Sequence, residues 1–487
     1  MMDGEQYRKS LQEMKSVVYI NGEKVPDFWS HPLIRPAFNL MKKTYDMAQD
    51  PNIDPELHSL IKVKSNLTGG EINSFLNIIT SPAGLVRRLN LQRALMRYGG
   101  GCFGARCIAG AVFNALWPVT YDVDEANEGK TEYHARFKDY VKMVQEKDLM
   151  VMGCITDPKG DRSLPPHKQS DPDLFLRVVE RRDDGIVVNG AKFQQSGALL
   201  AHELVVTPTT AMGPDDSDYA VSFAIPANTK GVTFVNDSAC ANAKFLAMDP
   251  EDIGNAEYGI HLSCHVLFDN VFIPNERVFL CGEWEATRNL VQWFSDFQRL
   301  ASCSCRIGYI EVCMGASEAM ADYNGVPHAG HIRDKLIDMS IDAETIHGML
   351  AGSTAMPTKT KSGVVVPNAV FVNVAKLYMN NAVLKTGQRV TEIGGGILIT
   401  RPSNRDLNNP EIGGLLKRYH KAKDGAKVED RLKMARLAEN LSGLACITPT
   451  LSVIAAGPPA VNRLQVRVQT DFKRNRKAAE RLAGITE

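Results

Sequence analysis

Hydrophobic periodicity changes twice along this chain of 487 residues, and those two changes constrain its fold more than any other feature. Through the first 150 residues, apolar side chains mostly recur every three or four positions, the repeat of a helix with one buried face. Helices are expected over Phe38–Gln49, Glu71–Ile79, Leu85–Tyr98, Ala105–Leu116 and Tyr133–Glu146. A short hairpin precedes them, Val18-Tyr-Ile-Asn-Gly-Glu-Lys-Val25, turning at Asn21-Gly22. From about Met150 the pattern alternates instead. Leu174-Phe-Leu-Arg-Val-Val-Glu180 and Ile186-Val-Val-Asn-Gly190 flank Arg182-Asp-Asp-Gly185, a second hairpin signal. Tyr219–Ile225, Val232–Val235 and His265–Phe268 continue the series as a sandwich or small barrel. After Glu283 the helical repeat returns over Leu290–Tyr323, His331–Leu350, Val366–Val390, Glu429–Leu444 and Asn462–Leu482. The expected architecture is mainly α with a β domain: an N-terminal helical domain over 1–150, a middle β domain over 151–280 and a C-terminal helical bundle over 281–487.

Charge removes several classes of function. Lys+Arg and Asp+Glu both number 56, so there is no net electrostatic pull toward nucleic acid or an anionic membrane. No run of about 18 apolar residues is present, as a membrane-crossing helix requires. The first residues, Met1-Met-Asp-Gly-Glu-Gln-Tyr-Arg-Lys, are polar, and a cytoplasmic protein is expected. Ten scattered cysteines then read as buried thiols or ligands rather than as a disulfide framework.

Six strings narrow the reading: Thr156-Asp-Pro-Lys-Gly-Asp-Arg162, Asp171-Pro-Asp-Leu-Phe-Leu-Arg177, Asp184-Gly-Ile-Val-Val-Asn-Gly-Ala-Lys192, Asp218-Tyr-Ala-Val-Ser-Phe-Ala224, Phe268-Asp-Asn-Val-Phe-Ile-Pro-Asn275 and Ala321-Asp-Tyr-Asn-Gly325. They resemble the 4-hydroxybutyryl-CoA dehydratase branch of the 4-hydroxyphenylacetate 3-hydroxylase flavoprotein family, whose fold is acyl-CoA dehydrogenase-like. The resemblance spans most of the chain. It implies FAD, a cytoplasmic setting and a homotetramer. For the branch it also implies a [4Fe–4S] cluster held by two N-terminal cysteines and by a His and a Cys on a bundle helix.

At the implied cofactor positions, Gln195 and Ser196 fall where the family offers a hydroxyl to the flavin. Glu392, Gly394, Gly395 and Gly396 fall on a glycine-rich segment near the FAD phosphates, where a missing Cβ lets backbone N–H groups approach an anion. Asp161 and Arg162 complete the set of expected cofactor residues, with a structural ion pair as the competing reading.

The cluster and acid–base positions depart from the family. Cys102 and Cys107 stand one residue wider than the implied C-x3-C pair. On a continuous helix that would turn the thiols apart, unless a π-bulge near Gly104 absorbed the extra residue. Cys305 falls on the bundle cysteine, but Gln298 replaces the His, and a neutral amide is a poor iron ligand. Ser302 and Arg306 replace a Tyr and a Lys, while Ser263 and Leu451 replace two Glu residues. Arg306 keeps the charge but is no proton donor near neutral pH. His261 and His265 alternate with Ser263 and are the remaining candidates for proton transfer.

Three functional readings stay open on these residues. One is a dehydratase-type enzyme on a short hydroxyacyl-CoA or enoyl-CoA with an altered cluster site. The second is a cluster-free flavin oxidoreductase or two-component monooxygenase, served by a flavin reductase and acting on a phenolic or other small substrate. The third is a flavin-binding partner of an active subunit.

Overall fold

A computed structural model describes the chain except for residues 104–105, 238–245, 260, 445–450, 454 and 486–487. The N-terminal helices are α1 Gly4–Met14, α2 Arg35–Gln49, α3 Pro55–Ile61, α4 Pro82–Gly99, α5 Arg106–Ala126 and α6 Tyr133–Glu146. Local chemistry explains their ends. Ser81 caps α4 through the Gly84 amide with Pro82 at the first helical position, and Gly100, at φ 60°, stops it. Asp3 and Gln6 form a capping box on α1.

Strands follow in the expected region: β5 Val151–Cys154, β6 Arg177–Arg182, β7 Gly185–Lys192, β8 Glu203–Val206, β9 Val221–Pro226, β10 Val232–Asn236, β11 Cys264–Pro274 and β12 Val278–Cys281. They build two sheets. One has six strands and includes the N-terminal hairpin, β1 Val18–Ile20 and β2 Glu23–Lys24, in the order β2-β1-β10-β11-β7-β6. The other has the order β12-β9-β8-β5. Phe223 of β9 and Phe268 of β11 meet edge to face at 6.2 Å across them. The early hairpin therefore completes the β layer: Val18 pairs in parallel with Phe234.

The bundle is led by α7 Thr287–Tyr323, 37 residues long, with α8 Gly330–Ala355 and α9 Ala369–Gly394. Helix α7 packs on α4, α5, α8 and α9 and so ties the two helical regions together. Gly308 permits its approach to α4, because a Cβ there would run into the Arg93 carbonyl oxygen. One continuous core joins Tyr7 in α1, Phe234 in β10, Ile307 in α7 and Val383 in α9.

Two expected helices are corrected. Glu71–Ile79 forms strand β4, Glu71–Asn73, paired with β3, Lys62–Lys64, and then one 3-10 turn at Ser74–Leu76. The preceding Gly69-Gly70 turn folds the segment back as a hairpin, and pairing overrides its helical spacing. Asn462–Leu482 is two helices, Pro459–Gln469 and Phe472–Leu482, divided where Asp471 accepts from the Arg474 amide and starts the second.

Candidate functional site

The turn after β7 presents Ser196. Gln194 (φ 59°) and Gly197 (φ 73°) both adopt left-handed conformations, which reverses the chain within four residues. Gln195 is the pin. Its amide N–H donates to the Cys264 carbonyl at 2.8 Å, its side-chain oxygen accepts from Ile155 N, and its side-chain nitrogen donates to the Phe193 carbonyl at 2.5 Å. Below it, Lys192 and Asp157 form a buried ion pair at 2.7 Å, and the ammonium also donates to the carbonyls of Ile155 and Thr207. Burial raises the Asp157 pKa, and Lys192 opposes that rise. Ser196 is thus held at the surface of a rigid corner.

Ser196 Oγ lies 3.1 Å from His261 Nε2. The other ring nitrogen of His261 is buried without a hydrogen bond. Burial first, and then the Arg306 charge, push its pKa down to about 4, so the ring is neutral near pH 7. His265 is placed differently. It stacks on Phe193 at 4.1 Å and reaches Asp237 at 3.1 Å. Strand β11 starts only at Cys264, so His261 and Ser263 precede it, and the alternation expected for the three residues does not extend to them.

Ser302, Cys305 and Arg306 are buried on α7. Ser302 Oγ bonds back to the Arg299 carbonyl. Arg306 Nη1 donates to Cys305 Sγ at 2.7 Å, and that thiol donates to the Ser302 carbonyl at 3.1 Å. Cys107 stands in the first turn of α5, whereas Cys102 lies in the connection after α4. No helix spans both residues, so helix phase does not set the direction of one thiol relative to the other. The bulge expected at Gly104 lies outside the described residues. Cys102 and Cys305 lie near enough to Cys107 to shift its proton affinity. Burial raises the Cys107 pKa most, and the neighbouring Cys102 and Cys305 thiols raise it further against Arg88 and Arg306. Even so, among the described residues no three His, Cys, Asp or Glu side chains are grouped to hold a metal.

Three residues missed in the sequence complete the surroundings. Arg299 and Asp296 sit on α7 and Lys376 on α9, all buried. Lys376 interrupts the apolar stripe Val372, Ala375, Met379 and Val383, and a cation in such a stripe is a readable signal of a polar interior site.

The remaining candidates, apart from the buried Gly394, are exposed. Gly394 closes α9, and Gly395 follows at φ 69° with its amide bonded to the Thr391 carbonyl. A Cβ on Gly395 or Gly396 would meet nothing within 4 Å, so the backbone here borders open space. Glu392 pairs with Lys335 at 3.2 Å. Asp161 accepts from the amide and hydroxyl of Ser163, and Arg162 is exposed beside it. Among the described residues, no hydrogen bond or ion pair joins these groups to Ser196.

Helices, β layer and helical bundle in this order define the acyl-CoA dehydrogenase-like class. A glutaryl-coenzyme A dehydrogenase in its glutaryl-CoA complex aligns with TM-score 0.53 and 14% identity over 99% of this chain and 95% of the other, a likeness of fold alone. Within that class, the 4-hydroxyphenylacetate 3-hydroxylase N-terminal pattern matches residues 3–280 and the C-terminal pattern residues 287–484. The chain belongs to this family. It is 37% identical over 496 residues to 4-hydroxybutyryl-CoA dehydratase/vinylacetyl-CoA-Delta-isomerase of Clostridium aminobutyricum, covering 100% of both chains. The solved oxygen-tolerant archaeal 4-hydroxybutyryl-CoA dehydratase from N. maritimus aligns with TM-score 0.94 and 37% identity over 100% of this chain and 95% of that one. The 4-hydroxyphenylacetate 3-monooxygenase oxygenase component of Geobacillus sp. (strain PA-9) is 25% identical over 90% of this chain and 87% of its own length.

Proposed function

We propose that this chain is an FAD-dependent enzyme of the dehydratase branch, acting on a small substrate such as an acyl-CoA, whose site is diverged from dehydration of 4-hydroxybutyryl-CoA. The observation that carries this is Gln298 at the position of the expected fourth ligand, since a neutral amide is a poor ligand for iron. A [4Fe–4S] cluster takes thiolate ligands. Here burial holds the Cys107 thiol protonated, and Gln298 stands at the fourth position. These residues do not fit the cluster.

The residues do fit a flavin. Ser196 offers a hydroxyl from a rigid corner, His261 steadies it, and Gly395 and Gly396 leave open space beside the backbone. When bound, FAD accepts and donates electrons. The chain's own part is to orient substrate and to hold protons away from the site, since His261 is neutral and Ser302 is committed to a backbone carbonyl.

A second reading is hydroxylation of a phenolic substrate with reduced flavin from a partner reductase. The likeness to the Geobacillus oxygenase component over 90% of this chain favours it. Assembly as a homotetramer fits the exposed Ile337 and Ile341 of α8 and the exposed Leu464, Val468, Phe472 and Leu482. Among the described residues, no helix is long and apolar enough to cross a membrane.

The test is an anaerobic assay of crotonyl-CoA formation from 4-hydroxybutyryl-CoA by flavin-loaded protein. Loss of one acid–base group typically costs about 10²–10⁴ in rate, so very slow turnover is expected. Turnover of about 1–10³ per second would return the chain to the parent reaction.

A further inference from the structure

No side chain of helix Phe472–Leu482 is buried. Its 11 residues are too few to hold a helix alone in water, where isolated helices shorter than about 12–15 residues are marginal. Local support is small. Asp471 caps the start, and Arg476 pairs with Glu480 one turn on at 2.7 Å, a contact worth about 0.2–0.5 kcal/mol. Yet the residues are sorted by face. Phe472, Asn475, Ala478, Ala479 and Leu482 take one side of the helix, and every charged residue takes the other. The helix before it, Pro459–Gln469, packs on α9 with Asn462 buried, and leaves Val461, Leu464 and Val468 exposed. Apolar side chains are thus left uncovered along both helices.

A matching surface lies elsewhere on the bundle. Among the described residues, 15 of the 21 large apolar side chains that are exposed lie beyond residue 330, so the uncovered apolar area belongs to this region. On α8, Ile337 and Ile341 are 56% and 54% exposed. They share an exposed face with Asp334, Asp338 and Glu344, all spaced by three and four residues. Asp338 reaches Arg389 and Glu344 reaches Arg93, but both carboxylates stay more than half exposed. Charge is complementary as well. Residues 459–482 hold seven Lys and Arg against two Asp and Glu, so the rest of a chain balanced at 56 of each carries five surplus anions.

We infer that helices Pro459–Gln469 and Phe472–Leu482 form an arm that docks on α8 of a second copy of this chain. Phe472 and Leu482 cover Ile337 and Ile341, and the basic side meets Asp334, Asp338 and Glu344. The exchange is reciprocal about a two-fold axis, so each copy gives an arm and receives one. This deepens the assembly reading above, on which it rests, by naming the contact. A second copy fits better than an anionic lipid surface. With two large apolar side chains in 11 residues the helix has little to insert, whereas α8 supplies apolar and acidic groups together.

The test places a photo-cross-linker at the arm, Phe472→benzoylphenylalanine, in full-length protein assembled from isotopically heavy and light copies. Heavy–light links to the segment around Ile337 and Ile341 are expected. The double variant Phe472→Asp, Leu482→Asp should raise the dissociation constant of the assembly by about 10-fold or more in analytical ultracentrifugation, as loss of interface anchors does. Both side chains are exposed in the single chain, so the variant folds. Links confined to one chain, or an assembly that the variant leaves unchanged, overturn this inference while sparing the assembly reading. Wild-type protein that sediments as a monomer overturns that reading itself. A monomer that binds phosphatidylserine vesicles, and loses them in the double variant, assigns the arm to lipid and overturns the docking.

Discussion

Arg306 and Cys305 are adjacent on α7, and the guanidinium of one donates to the thiol of the other at 2.7 Å. Neighbours in a helix point about 100° apart, so this contact needs the long arginine to fold back over the shorter side chain. A cation therefore stands against the sulfur that the dehydratase branch would use as an iron ligand.

Because Gln298 stands where that branch has its His ligand, protein purified anaerobically should contain no stoichiometric iron or acid-labile sulfide. Metal and sulfide analysis beside the absorption spectrum checks it. Four irons and four sulfides per chain would refute the reading of the site.

Gly395→Val should abolish flavin retention. At φ 69° a β-branched residue adds backbone strain of about 1–3 kcal/mol, while its side chain enters the open space beside this backbone. A flavin-free absorption spectrum with a modest fall in melting temperature is expected. A variant that keeps full flavin would show that the phosphates lie elsewhere.

Lys192→Met should destabilise the fold by about 3–5 kcal/mol, because it leaves Asp157 buried without its cation. The folded-state pKa of Asp157 is already raised by burial, so ionising it opposes folding. Removing Lys192 raises it further. The deficit against wild type should be largest at neutral pH and shrink as pH falls and the carboxyl is protonated. Urea titrations at several pH values measure this, and a pH-independent difference would contradict it.

Acid should weaken the fold through two histidines. His261 and His202 are both pushed from 6.5 down to about 4, mainly by burial, with Arg306 and Arg106 respectively assisting. The unfolded chain takes up these protons first, so stability is intact above about pH 6.5 and is lost toward pH 4. Each contributes at most about 3 kcal/mol. In His261→Asn the loss over this window should be smaller than in wild type. An unchanged pH profile of melting temperature would assign the effect elsewhere.

Much of the fold was legible because its signals are local. The repeat of apolar residues placed α6 and the long helices of the bundle, and Asn21-Gly22 placed the first hairpin turn. Where pairing partners lay outside the window the reading failed, as at Glu71–Ile79, whose strand exists through Lys62–Lys64. At the site, the sequence marked Ser196, Cys305 and Arg306; Arg299 looked like an ordinary helix residue, and the signal of Lys376 within its apolar stripe went unread.

The sequence alone determined the order of helical, β and helical layers and the charge balance, since each is a property of composition or of short spacing, whereas the replaced His and two carboxylates are what the family resemblance implies. Only the tertiary structure decided that Val18 pairs with Phe234, that His261 meets Ser196, and that Arg299, Arg306 and Lys376 surround one segment. Those pairs are separated by tens to hundreds of residues. Their meeting is set by how helices and sheets pack, and packing depends on the whole core rather than on any stretch that can be read by itself.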